Sequence, residues 1–144
     1  MRHFLLRIFP LLLVATVVQG NDWISVVSNK EKYDGRQVGI DGFITLNAER
    51  VGDAILWFDK AAAEFEMHGY FVIDGDSLKR AIGNGKVGGG VKTVRDLDQK
   101  RVYIIATYHE KAGEMGISNG HLVVHSMGLR GKRSEAPTRP TRAK

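Results

Sequence analysis

The sequence predicts a mainly β fold with short helices, a small five-stranded barrel. Three observations predict it. The segment Tyr33 to Phe43 (YDGRQVGIDGF) opens a long strand after a polar turn. Gly42 interrupts the apolar face of that strand in its middle. Four further short apolar runs follow, separated by stretches rich in glycine and polar residues.

The first strand is Gln37 to Leu46. Val38, Ile40, Ile44 and Leu46 fall on one face, Asp41 and Thr45 on the other. A glycine at 42 weakens a flat strand but permits a bend or bulge, which a first strand serving both sheets of a small barrel needs. Upstream, Trp23 to Lys32 carries Trp23, Ile24, Val26 and Val27, which suits a short helix or strand packed on the barrel. Ala54 to Phe58 is the second strand. Asp59 then caps a short helix through Met67, favoured by Ala61, Ala62 and Ala63. Tyr70 to Ile73 is the third strand, closed by the turn Asp74-Gly75, and Asp76 caps a helix over Ser77 to Ile82. The glycines at 83, 85, 88, 89 and 90 read as a flexible connector, because they lack the strand, Gly-Lys-Ser/Thr and helix order of a phosphate loop. Arg101 to Tyr108 and His121 to Met127 are the fourth and fifth strands, a hairpin around His109 to Gly120.

The ends differ in composition from this core. Arg2, His3 and Arg7 precede an apolar run from Ile8 to Val18, and Val18 and Gly20 suit a cleavage site before Asn21. That is the pattern of a cleaved signal peptide over residues 1–20. The run is shorter than the roughly 20 residues of a membrane span, so no transmembrane segment is expected in the mature chain. The barrel domain is expected over 21–131 and a disordered basic tail over 132–144, where prolines and charges occur without any large apolar residue. There is no cysteine, so an exported chain must draw its stability from its core. The leader holds two of the 21 basic residues. The tail holds five more, with one of the 16 acidic residues, which leaves 14 basic against 15 acidic residues between. A neutral core lacks the concentrated basic face that phosphate contacts require, so nucleic acid is an improbable partner for it.

Tyr33-Asp34-Gly35, Val38, Gly42-Phe43, Lys100 to Tyr103 and Gly120-His121-Leu122 together resemble a group of small exported bacterial proteins, mostly uncharacterised, that are similar to OB-fold (oligonucleotide/oligosaccharide-binding) domains. The resemblance runs in order over Ile24 to Leu129 and departs at Ala106-Thr107-Tyr108, where the group usually carries a glycine. It implies an OB-like barrel. In such barrels ligands meet the face of strands two and three and the loops after strands one and four. The ligand-binding candidates are therefore Asn47 and Arg50 on the first loop, Lys111 and Asn119 on the second, and Trp57 and Tyr70 on the face, which also contains Phe71. Aromatic side chains there can stack on a base or sugar, or fill the core.

Site chemistry is sparse. If the last hairpin pairs His109 with His121, then Tyr103, Ile105, Thr107, His109, His121, Val123, His125 and Met127 share one face, and the two imidazoles are cross-strand neighbours. Such a pair is a candidate start of a metal site, with His68, Glu110 or Glu114 as a third ligand. His125 is about 13 Å along the strand from His121 and does not join readily. Asp74, Asp76, Asp96 and Asp98 read as turn and cap residues, and Ser126 lacks nucleophile-elbow glycines. No catalytic residue and no cofactor are assigned. The expected function is a periplasmic or secreted non-enzymatic OB-like module that binds an envelope protein, a glycan or a small ligand. The alternatives are a nucleic-acid binder using the tail and the aromatic face, and a metal-binding protein centred on His109 and His121.

Overall fold

The computed structural model describes residues 23–46, 54–67, 69–110 and 118–131. The expected leader and tail lie outside the described residues. Among the described residues no helix is long and apolar enough to cross a membrane.

Five strands close into a barrel in the order β1-β2-β3-β5-β4: β1 Gln37–Leu46, β2 Ala54–Trp57, β3 Phe71–Ile73, β4 Lys100–His109 and β5 Gly120–Leu129. All neighbouring pairs are antiparallel except β3 with β5, which is parallel. The fold is thus the mainly β, OB-like barrel that the sequence predicts. Short helices accompany it: α1 Trp23–Ser28, α2 Lys30–Tyr33, α3 Lys60–Glu64, α4 Gly75–Gly83 and a 3-10 turn at Val94–Leu97.

β1 serves two surfaces. Residues Phe43 to Leu46 pair with β2, and residues Gln37 to Ile44 pair with β4. A Cβ on Gly42 would lie 2.7 Å from the Leu56 side chain and from the Trp57 carbonyl oxygen. The glycine therefore lets β2 cross close over the bend. Val38, Ile40 and Ile44 point into the barrel with Leu56, Phe71, Ile73, Val102, Ile104, Tyr108 and Leu122. Fully burying each such side chain contributes about 1.5–3 kcal/mol. Trp23 and Val26, three apart and so on one helical face, join the same core, which is why this segment forms a helix.

Four expectations are corrected. Asp74, not Asp76, caps α4: its Oδ2 accepts the Ser77 amide at 2.7 Å, so Gly75 is the first helical residue. The glycine-rich stretch is not a free connector. Val87 bridges to Met127, the Gly88 amide donates to the Met127 carbonyl at 2.9 Å, and the Met127 amide donates to the Lys86 carbonyl at 3.0 Å. Met127 does not share the outer face with the histidines. The β4–β5 register shifts between Ile105 and Ala106, whose partners are Ser126 and Val124; His125 is the extra residue, and Met127 turns inward opposite Ile104. Finally, β2 ends at Trp57, and Phe58 is left 53% exposed.

Candidate functional site

Strand alternation splits the aromatic residues of β2 and β3 between two environments. Phe71 points inward and is fully buried, its ring 4.5 Å from that of Trp23 and 5.9 Å from that of Tyr108. Phe71 therefore does not share the ligand face with Trp57 and Tyr70. Those two point outward, with ring centroids 5.1 Å apart. They are not bare. Phe43, Trp57 and Ala62 form a second buried cluster with Ile55, Ala63 and Tyr70 packed against it, so α3 lies over the outer surface of β1 and β2. The Trp57 indole Nε1 donates to Thr45 Oγ1 at 2.8 Å, which satisfies its polar edge.

An open cavity of about 490 Å³ lies where α1, the end of β2, α3 and the start of β5 meet. Its lining includes Trp23, Trp57, Phe58, Asp59, Met67 and Asn119. α1 supplies Trp23 and β2 supplies Trp57. Phe58 follows the last residue of β2 and is left 53% exposed, its ring meeting that of Trp23 edge to face. Asp59 caps α3: its Oδ1 accepts the Ala62 amide at 2.8 Å. After α3 the chain turns through Glu66 at φ 47°, which brings Met67 to the rim. Met67 is 56% exposed and nearby Phe65 77%. Exposed apolar side chains around a cavity mouth are a feature of interaction sites.

Asn119 is the candidate that the structure brings to this cavity together with Trp57. Its side-chain amide donates to the Gly69 carbonyl at 2.6 Å, its backbone amide donates to the Tyr70 carbonyl at 2.7 Å, and its carbonyl accepts the Tyr108 hydroxyl at 2.7 Å. It fastens the entry of β5 to the entry of β3. Tyr108 is buried beneath it. Burial, with the carboxylates of Glu110 and Asp34 adding to it, pushes its hydroxyl pKa up to about 12. Tyr70 packs beside Trp57 away from the cavity lining. Asn47, Arg50 and Lys111 lie outside the described residues.

His109 and His121 are cross-strand partners, as the expected pairing required. Each faces its own carboxylate: His109 Nδ1 is 3.9 Å from Asp34 Oδ1, and His121 Nε2 is 3.9 Å from Asp74 Oδ1. Both carboxylates already accept backbone amides, Asp34 from Glu110 at 3.0 Å and Asp74 from Ser77. Among the described residues no group of three or more His, Cys, Asp or Glu is arranged to hold a metal ion. His68 and Glu114 lie outside the described residues. His125, displaced by the bulge, bonds Thr107 Oγ1 at 2.7 Å. Asp96 and Asp98 are cap residues: Asp96 Oδ2 accepts the Lys92 and Thr93 amides, which hold its carboxyl below the usual range, and Asp98 Oδ1 accepts the Leu46 amide.

By sequence alone Trp23 is a packing residue, Phe58 the end of a strand, Asp59 a cap and Met67 the end of a short helix. One signal could have found the cavity. The pair Trp57-Phe58 ends a strand, so one of the two rings must leave the layer that buries the other.

No protein-family model matches the chain, and no curated protein matches it. Among solved structures, a chain described as a "putative aspartyl-tRNA synthetase from Leishmania major Friedlin" matches at 12% identity and a TM-score of 0.39, over 84% of this chain and 23% of that one. This chain therefore corresponds to less than a quarter of that protein's length.

Proposed function

We propose that this chain is an exported, non-enzymatic OB-like binding module that takes an apolar group of an envelope protein or small ligand into the cavity between α1 and α3. The observation that carries the reading is the cavity itself. Its volume of about 490 Å³ lies in the range of small-molecule sites, and its lining is mostly apolar with a few polar groups, as such sites usually are. Phe58 and Met67 stand more than half exposed at its edge, where burial by a ligand would remove apolar surface from water. Export rests on Arg2, Arg7 and the apolar run Ile8 to Val18, and a periplasmic or secreted bacterial setting on the resemblance that the strand motifs carry.

Both tryptophans of the chain, Trp23 and Trp57, line the cavity, so intrinsic fluorescence reports on it directly. The test is titration with the neutral apolar dye N-phenyl-1-naphthylamine, followed by energy transfer from tryptophan. Saturable transfer is expected. The substitutions Phe58→Ser and Met67→Ser, at exposed positions the core does not need, should weaken it several-fold. Transfer that never saturates, or that both variants leave unchanged, refutes the reading.

A further inference from the structure

We infer that the cavity is a site for an organic ammonium ion, an amine whose nitrogen carries apolar substituents; this rests on the cavity being the binding site proposed above. Two features of the lining point there. The first is the carboxylate of Asp59, the one charged group among the described lining residues. Its Oδ1 is held by the Ala62 amide at 2.8 Å, and its Oδ2 has no partner among the described residues. The neighbouring cation, Lys60, turns instead to Glu64 at 3.4 Å. The second is the set of aromatic rings. Trp23, Trp57 and Phe58 all line the cavity, and the rings of Trp23 and Phe58 meet edge to face at 5.9 Å and 86°. Trp23 and Trp57 are buried walls, 9% and 7% exposed, and Phe58, 53% exposed, presents the open ring face, which suits a cation with a bulky apolar shell.

The other polar groups favour the same sign of charge. The Trp57 Nε1 donor is committed to Thr45, and one of the two N–H donors of the Asn119 amide to the Gly69 carbonyl. From Asp59 to Met67 the chain carries three carboxylates against one lysine, a local excess of negative charge on the segment that borders the cavity. A phosphate or carboxylate ligand would meet repulsion there. An ammonium ion would meet an acceptor in Asp59 and the exposed ring of Phe58 while its alkyl groups replaced water against Met67 and Val27.

The experiment compares choline with its uncharged isostere 3,3-dimethylbutan-1-ol, and with a capped tripeptide carrying a central lysine, by tryptophan fluorescence of the purified chain. Choline is expected to bind about threefold to thirtyfold tighter than the isostere, the range that desolvated cation–π and charge contacts give. Tighter binding of the lysine peptide than of choline would identify a polypeptide side chain as the source of the ammonium group, and the reverse a free amine. Asp59→Asn should remove the preference for choline while keeping α3 capped, because asparagine caps as well as aspartate. Phe58→Leu, at an exposed position, should weaken choline binding but spare the isostere. Equal binding of choline and isostere, or a preference that survives Asp59→Asn, overturns the inference and leaves the cavity standing as an apolar site. Failure of every probe, the neutral dye included, overturns both.

Discussion

The hydroxyl of Ser77 accepts the backbone amide of Val124 at 2.9 Å and donates to the Asp74 carbonyl at the same distance. This contact continues a sheet by other means. β3 pairs with β5 only as far as Ile73 opposite Leu122, and the Asp74 amide extends the ladder by one bond to the Leu122 carbonyl. The next β5 amide would then face no strand. The start of α4 takes the place of the missing strand, and the buried Ser77 is its contact atom. Ser77→Ala should leave the Val124 amide buried without a partner, at a cost of about 1–3 kcal/mol. Denaturant unfolding measures the loss, and hydrogen exchange should show the Val124 amide losing protection before its neighbours. Unchanged protection at Val124 would show that the bond contributes nothing.

Two helices end in the same motif with different residues at its critical position. After α4, Gly85 takes φ 67°, with the Gly85 amide bonded to Ile82 and the Lys86 amide to Ala81. After α3, Glu66 takes φ 47°, with the Glu66 amide bonded to Ala63 and the Met67 amide to Ala62. Both are Schellman caps, and a side chain in the left-handed region costs about 1–2 kcal/mol. Glu66→Gly should therefore stabilise the protein by up to about 1 kcal/mol, since glycine's greater freedom in the unfolded chain offsets part of the gain. Thermal unfolding reads it out as a rise in Tm. A fall in Tm would mean that the glutamate makes a compensating contact.

The fold was legible because its strands are built on period-two patterns that the barrel uses directly. Val38, Ile40 and Ile44 face inward as their spacing requires, and the same holds for Val102, Ile104, Ala106 and Tyr108. The hairpin register was legible from His109 and His121. Its bulge was not, because nothing in HLVVHSM marks His125 as the residue to be skipped, and one extra residue reverses the face of everything after it. The site was harder to read. It is made where α1 and α3 approach, a tertiary relationship between Trp23 and Phe58 that no local spacing encodes. Trp57 was legible as an outward aromatic of β2. That α3 would cover its outer face depended on Ala62 being small enough to pack on it.

Gly42 and Gly83 separate close packing from helix propensity in a way that substitution can test. At Gly42 an added Cβ would lie 2.7 Å from Leu56 and from the backbone oxygen of Trp57, and a backbone atom cannot turn aside as a side chain can. Gly42→Ala should cost about 1–3 kcal/mol by overpacking and should disturb the β1–β2 pairing that holds Trp57. Gly83, in the last turn of α4, has nothing within 4 Å of such a Cβ. Gly83→Ala should stabilise by about 0.5–1 kcal/mol through helix propensity. Paired denaturation curves check both. Equal effects of the two substitutions would contradict the assignment of Gly42 to close strand approach.

Tyr108 couples the barrel core to pH. Its ring is fully buried against Phe71, and its hydroxyl donates to the Asn119 carbonyl at 2.7 Å. Its pKa of about 12 in the folded protein stands above the ordinary value of 10.0. Between those values the unfolded chain releases the proton while the folded chain keeps it. The unfolded state therefore binds fewer protons, and stability must fall as pH rises through that interval. Below about pH 10 the contribution is present in full. Tyr108→Phe should lower stability at pH 7 by about 0.5–1.5 kcal/mol through the lost hydrogen bond, and should flatten the decline between pH 10 and 12. The informative quantity is the difference between the two proteins, measured by denaturant midpoint at each pH. A difference that stays constant from pH 9 to 12 would show that the Tyr108 hydroxyl is not held protonated by its burial.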